Sequence, residues 1–120
     1  MEYNFEYLNV SFNDYCVIDK ASIHIDLIID ITCEHLRVNK ADVLTKKRNK
    51  DLVRARWYCY KLIREIKKET LSDIGFVFYV DHSTVHYGLE KLNQEISIYP
   101  EIEVDYNNLL LKIKKHQYNG

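Results

Sequence analysis

Four short polar residues stand side by side in the second half of the chain: Asp81, His82, Ser83 and Thr84. An aspartate can accept a hydrogen bond from cytosine N4, histidine and hydroxyl groups can bond to base edges, and a threonine methyl can touch the thymine methyl. Such side chains reach base edges without holding a helix away from the groove. A helix beginning here would also direct free N–H groups and its positive dipole end toward phosphate. The segment predicts contact with duplex DNA.

The same residues allow three other interpretations. His82, His86 and Glu90 recur on one helical face and could bind a divalent metal, although the sequence fixes no further ligand. Ser83 beside His82 suggests a nucleophile and a base, but adjacent residues point in different directions on a helix and no oxyanion loop is visible. Asp81 could be a helix cap and nothing more. We expect no metal, no cofactor and no enzymatic activity.

Charge is distributed unevenly along the chain, although the net charge is only −1. Residues 37–68 hold twelve Lys or Arg against three acids, whereas residues 1–36 and 69–120 are both acidic overall. A basic block in a nearly neutral chain is typical of a surface that binds a polyanion. A solvated basic helix face is the alternative, in which Arg48 would be one solvated cation among several.

The composition favours a soluble intracellular protein. With 120 residues, 47% of them hydrophobic, the chain can bury the core of one domain. No apolar run approaches the roughly eighteen residues of a membrane-spanning helix, and the acidic N-terminus does not resemble a signal peptide. We therefore expect a cytoplasmic, nucleoid-associated location. Cys16, Cys33 and Cys59 lack C-x-x-C spacing, which predicts buried thiols rather than disulfides or a zinc site.

Hydrophobic spacing predicts an all-α domain of about six helices over residues 21–118, preceded by an arm at residues 1–20. Only three Gly and one Pro occur, which favours long helices over many turns. The arm alternates apolar and polar residues and could form a short hairpin or an irregular segment. The first predicted elements are a helix capped by Ser22, a short helix opened by Asn39, and a basic loop from Thr45 to Lys50. A long helix over residues 51–68 follows, then a short helix capped by Thr70, a helix capped by Asp81, and a closing helix over residues 101–115.

The long helix carries two stripes at helical spacing. The apolar stripe consists of Leu52, Ala55, Cys59, Leu62 and Ile66. The opposite stripe is basic except for Trp57 and consists of Lys50, Arg54, Trp57, Lys61, Arg64 and Lys68. We expect the apolar stripe to face the core and the basic stripe to face outward. Trp57 would lie over neighbouring aliphatic stems or contact a partner. Phe76 and Tyr87 are expected to be packing residues.

The short helix, the break at Tyr79-Val80 and the helix beginning after Asp81 form a helix-turn-helix pattern, in which a bracing helix orients a second helix toward the groove. Leu71-Ser-x-Ile-Gly-x-x-Phe followed by Asp81-His-Ser-Thr-Val resembles the carboxy-terminal DNA-binding domain of bacterial DnaA replication initiators. Asp42-Val-Leu-x-Lys-Lys-Arg and Val53-Arg-Ala-Arg resemble that family's basic loop and its following helix. The likeness extends from about Ile23 to Lys115, which makes it more specific than a general helix-turn-helix pattern.

The resemblance implies roles for the matching residues. Arg48 would enter the minor groove beside the recognition site, while Arg56 and Arg64 would contact the DNA backbone or bases. The segment from Asp81 to Thr84 would read the major groove. The other cations expected at the DNA lie in or beside the basic loop: Lys46, Lys47 and Lys50. Such a division agrees with phosphate contacts that position a protein and base contacts that specify sequence.

The chain also departs from the family pattern. Tyr79-Val80 stands where the family has Gly-Gly-Arg, Tyr87 replaces a histidine, and Trp57 replaces a glutamine. The target sequence could therefore differ from the family's usual box. No G-x-x-x-x-G-K-[ST] segment occurs, which predicts a stand-alone domain that binds no nucleotide and contains no ATPase module.

Sequence-preferring binding of duplex DNA, in a replication-related or regulatory role, is the function that these patterns favour. Two alternatives remain open at this point. The same scaffold could dock a protein partner or another copy of the chain, with the arm at residues 1–20 involved. It could also bind nucleic acid without sequence preference.

Overall fold

A computed structural model describes residues 24–119, and within them the chain forms six α-helices and no strand. They are α1 (Ile25–Leu36), α2 (Lys40–Val43), α3 (Lys50–Lys67), α4 (Leu71–Phe78), α5 (His82–Ile98) and α6 (Pro100–Asn119). The predicted all-α architecture of about six helices is confirmed. The arm at residues 1–20 lies outside the described residues, as does Cys16.

Local capping explains where most of the helices begin. The side chains of Asn39, Thr70 and Asp81 each accept a hydrogen bond from a backbone N–H of the helix that follows, as predicted. Asn49 caps α3 in the same way. The helix α1 begins at Ile25 with His24 at its N-cap, later than predicted; Ser22, the predicted cap, lies outside the described residues.

The helix α3 lies at the centre of the bundle and contacts α1, α2, α4 and α5. Its predicted apolar stripe is buried, with Ile66 at its edge partly exposed. Two tyrosines beside that stripe, Tyr58 and Tyr60, are also buried and enlarge the core. Cys33 and Cys59 are buried free thiols, as predicted, and burial raises the pKa of both.

The prediction that the basic stripe of α3 faces outward was wrong for its middle part, because α5 lies against it. Arg54 bonds to Glu95 at 3.0 Å, and Lys61 donates to the Asn93 side-chain oxygen at 2.8 Å. Trp57 between them packs against α5 as well. Since long Lys and Arg side chains can cover apolar surface with their stems, a basic stripe does not exclude a helix–helix contact. The helix α5 is thereby fixed along α3.

No helix among residues 24–119 is long and apolar enough to cross a membrane.

Candidate nucleic-acid interface

The link between α4 and α5 consists of two residues outside regular helix and the cap residue Asp81. Tyr79 adopts the left-handed conformation, with φ of 59°, which is uncommon for a residue other than glycine. The Val80 N–H donates to the Gly75 carbonyl at 2.9 Å and so closes the end of α4. The absence of the family's two glycines therefore does not prevent a tight turn.

Gly75 allows this turn because its backbone nearly touches the link. A Cβ atom added there would lie 2.5 Å from the carbonyl oxygen of Val80. That oxygen belongs to the backbone and cannot move aside as the end of a flexible side chain could. Gly75 therefore sets how closely α4 approaches the start of α5.

The first turn of α5 is exposed and is organised by Asp81. One carboxylate oxygen of Asp81 accepts from the Thr84 N–H at 3.0 Å, the Ser83 hydroxyl at 2.6 Å and the Thr84 hydroxyl at 3.2 Å. These bonds, that from Ser83 foremost, lower the pKa of Asp81. The interpretation of Asp81 as a helix cap is confirmed. The His82 side chain is exposed and forms no hydrogen bond with residues 24–119.

Arg56 holds the basic loop, residues 45–49, in one shape. Its guanidinium donates to the carbonyl oxygens of Val43 at 2.8 Å, Thr45 at 2.8 Å and Asp42 at 3.3 Å. Burial lowers the pKa of the Arg56 guanidinium. The sequence placed Arg56 among the DNA contacts, whereas in the structure most of its donors already bond to the protein.

The other predicted cations divide into engaged and unengaged side chains. Lys46 reaches the Tyr79 carbonyl at 3.4 Å, Lys47 pairs with Asp42 at 2.9 Å, and Arg64 donates to the Glu69 carbonyl at 2.7 Å. Arg48 and Lys50 are exposed and have no hydrogen bond or ion pair with any residue from 24 to 119. Both side chains could meet a ligand without breaking a hydrogen bond or ion pair within that range.

A groove of about 620 Å³ joins the basic loop to the start of α5. Of the predicted site residues, Lys46, Arg48, Arg56, Ser83 and Thr84 line it. Asp81 and His82 lie beside it at the start of α5. Lys47 belongs to the loop, Lys50 is the first residue of α3, and Arg64 lies near the end of α3. The cationic loop and the polar helix start thus share one surface.

Two aromatic residues also belong to this surface. Trp57 was considered as a partner contact from the sequence, whereas Tyr87 was expected to be a packing residue. Trp57 and Tyr87 line the groove, and their rings meet edge to face at 6.4 Å between centroids. The helical spacing of Thr84 and Tyr87 was the available signal, since residues three apart lie on the same helix face. Phe76, expected to pack inside, is 81% exposed, so that prediction was wrong.

The pair of histidines on α5 forms no metal cluster in the structure. His86 lies 3.6 Å from Glu90, and both side chains are largely exposed. Nowhere in residues 24–119 do three His, Cys, Asp or Glu side chains gather closely enough to hold a metal ion.

Comparison with known proteins agrees with this geometry. Residues 25–92 match the family described as the bacterial DnaA protein helix-turn-helix. The chain is similar to proteins named chromosomal replication initiator protein DnaA. It is 30% identical over 89 residues to the one from Leptospira biflexa, covering 74% of this chain and 19% of that protein. The one from Neisseria meningitidis is 34% identical over 90 residues, covering 74% and 17%. The one from Treponema pallidum is 30% identical over 93 residues, covering 77% and 20%.

The match falls on the helices that build the groove, and the chain spans about a fifth of the length of these relatives. The chain belongs to the bacterial DnaA helix-turn-helix family.

Proposed function

We propose that this protein binds double-stranded DNA with a sequence preference by inserting the first turn of α5 into the major groove. The observation that carries the proposal is the groove shared by Arg48 of the basic loop and by Ser83 and Thr84 of α5. An α-helix is about 10–12 Å wide with its side chains, and the major groove is about 12 Å wide. An exposed helix start beside a cationic loop fits both the groove and its flanking phosphates.

The base-reading residues in this proposal are His82, Ser83 and Thr84. All three are exposed on the first turn of α5. The hydroxyls of Ser83 and Thr84 donate to Asp81, so their lone pairs remain available to accept from cytosine or adenine amino groups. Asp81 holds this arrangement and has its second carboxylate oxygen available for a cytosine amino group.

Phosphate contacts fall to the cations around the loop. Within residues 24–119, Arg48 and Lys50 have no hydrogen bond or ion pair to give up, which makes them the strongest candidates. Arg48 would enter the minor groove beside the site. Lys46, Lys47 and Arg64 would add charge from positions where each already touches the protein. Arg56 contributes chiefly by keeping the loop in place.

The relatives are named as chromosomal replication initiators, which supports a role at duplex sites used in replication or its regulation. This chain would supply the DNA contact in that role. Its departures at Trp57, Tyr79 and Tyr87 favour a target sequence that differs from that of its relatives.

The test is a selection from random duplexes at moderate salt, run in parallel with the wild type, His82→Ala and His116→Ala. His116 is an exposed histidine on α6, away from the groove, and serves as the matched control. We expect the wild type and the control to enrich one motif, and His82→Ala to lose about 1–3 kcal/mol of discrimination at one base pair. Affinity should also fall steeply with salt.

Absence of any enriched motif with the wild type would refute the sequence preference. If binding still falls with salt, the protein binds nucleic acid without preference. If no duplex binds at all, a protein-docking role on the same scaffold takes its place.

A further inference from the structure

Tyr87 projects from α5 into the same groove as the proposed base-reading residues. It lies three and four residues after Thr84 and Ser83, and all three line the groove. Its side chain is 55% exposed. One face of α5 therefore presents polar groups in its first turn and an aromatic ring in its second.

Two neighbours hold the Tyr87 ring in place. The Tyr87 ring makes an edge-to-face contact with Trp57 of α3, and the Lys91 ammonium lies 5.6 Å from its centroid. Trp57 in turn packs against α5, because its indole fills the space in front of Gly88. A ring fixed before binding loses little freedom when it meets a ligand.

The base edges of the major groove offer one apolar group, the C5 methyl of thymine. The other groups in that groove are hydrogen-bond donors and acceptors, which suit His82, Ser83 and Thr84 instead. A preformed aromatic ring on the same helix face therefore matches a thymine methyl better than any other base edge.

We propose that Tyr87, supported by Trp57, is a specificity-determining residue that recognises the methyl group of one thymine in the target duplex. The inference rests on the proposed function, because it needs α5 to enter the major groove. It concerns a base pair adjoining those read by the first turn of the helix.

Uracil substitution tests this directly, since deoxyuridine lacks only that methyl group. In the duplex enriched by the selection, each thymine is replaced singly by deoxyuridine, and dissociation constants are measured for the wild type, Tyr87→Ala and Tyr99→Ala. Tyr99 is an exposed tyrosine at the other end of α5 and serves as the matched control. We expect one position where the wild type and Tyr99→Ala bind uracil about three- to fourfold more weakly than thymine. Tyr87→Ala should bind both duplexes equally there.

Two further variants guard against a folding defect. Tyr87→Phe keeps the ring and should retain the thymine preference, whereas Tyr87→Gln removes the ring from an exposed helical site and should lose it. Circular dichroism would check that each variant remains helical.

The inference is overturned if the wild type binds every uracil duplex as tightly as the parent, if the enriched motif contains no thymine, or if Tyr87→Ala and Tyr87→Gln keep the preference. These results leave the proposed function intact. A wild type that enriches no motif refutes the proposed function and this inference together.

Discussion

The indole ring of Trp57 occupies the space that a side chain on Gly88 would need. A Cβ atom added to Gly88 would lie 2.6 Å from Cδ1 and 2.9 Å from Nε1 of Trp57. The same atom would lie 3.0 Å from Cδ2 of Tyr60, which is buried. The helices α3 and α5 can therefore approach this closely only because position 88 has no side chain.

Gly88→Ala should destabilise the fold and displace α5 from α3. Overpacking costs about 1–3 kcal/mol, and the better helix propensity of alanine offsets about 1 kcal/mol of that. We expect the free energy of unfolding to fall by about 1 kcal/mol, together with weaker DNA binding and altered Trp57 fluorescence. Urea unfolding followed by fluorescence measures the first effect.

Two variants control that experiment. Gln94→Ala changes an exposed position on the same helix and should leave stability within about 0.5 kcal/mol of the wild type. Adding Trp57→Leu to Gly88→Ala should return part of the lost stability, because the smaller side chain makes room. Since this double variant has no tryptophan, its unfolding is followed by circular dichroism. A Gly88→Ala protein with unchanged stability and unchanged fluorescence would contradict the steric argument.

Arg48→Ala should weaken DNA binding without affecting the fold. Arg48 is exposed, and its removal breaks no hydrogen bond or ion pair with residues 24–119. If it neutralises one phosphate, the slope of log affinity against log salt should decrease by about 0.9. Titration of a labelled duplex at several salt concentrations measures this slope; an unchanged slope would exclude Arg48 from the phosphate contacts.

Arg56→Ala should show the opposite pattern. It removes the donors to three loop carbonyls, and we expect the free energy of unfolding to fall by about 1–2 kcal/mol. Affinity should fall because the loop loses its shape, with a smaller change in salt slope than Arg48→Ala causes. Thermal unfolding and the same salt titration separate the two residues. If Arg56→Ala lowered the salt slope by about 0.9 and left stability unchanged, Arg56 would be a direct phosphate contact.

Alkaline unfolding should depend on Tyr60. Burial raises its pKa from 10.0 to about 12 in the folded protein, so the unfolded state releases its proton first as the pH rises. The stability contributed by this difference is complete below pH 10 and is lost as the pH rises toward 12. Tyr60→Phe keeps the ring against Phe78 but cannot ionise, and its midpoint pH of unfolding by circular dichroism should be higher. An identical midpoint for both proteins would contradict this.

Acid should weaken the start of α5 through Asp81. Hydrogen bonds from Ser83 and Thr84 lower the folded pKa below its ordinary value of 3.8, so the ionised form favours folding above that value. The contribution disappears as the pH falls through the lowered pKa. Asp81→Asn keeps a capping oxygen but no charge, so its stability deficit relative to the wild type should shrink in acid. A deficit that stays constant from neutral to acidic pH would argue against this role.

Sequence patterns sufficed for the features that depend on near neighbours in the chain. The caps at Asn39, Thr70 and Asp81 involve bonds that span two or three residues, so residue type and spacing identify them. The apolar stripe of α3 was equally readable, because helical periodicity alone brings its members together.

Features that depend on a second helix were not readable in this way. Arg54, Trp57 and Lys61 lie against α5, a contact that periodicity within α3 cannot reveal. Likewise, the partners of Arg56 are backbone carbonyls whose position follows from the path of the loop. The prediction that Phe76 is a packing residue failed because apolar character predicts burial on average but does not require it.

The three carbonyl bonds from Arg56 also bear on the rate of association. A loop that is already ordered in the free protein does not have to be immobilised when a duplex binds. The entropy cost of ordering it is therefore part of the free energy of folding and does not reduce the free energy of binding. The protein should then dock on DNA almost as a rigid body. Its association rate constant should depend mainly on ionic strength, and not on a slow rearrangement of the protein.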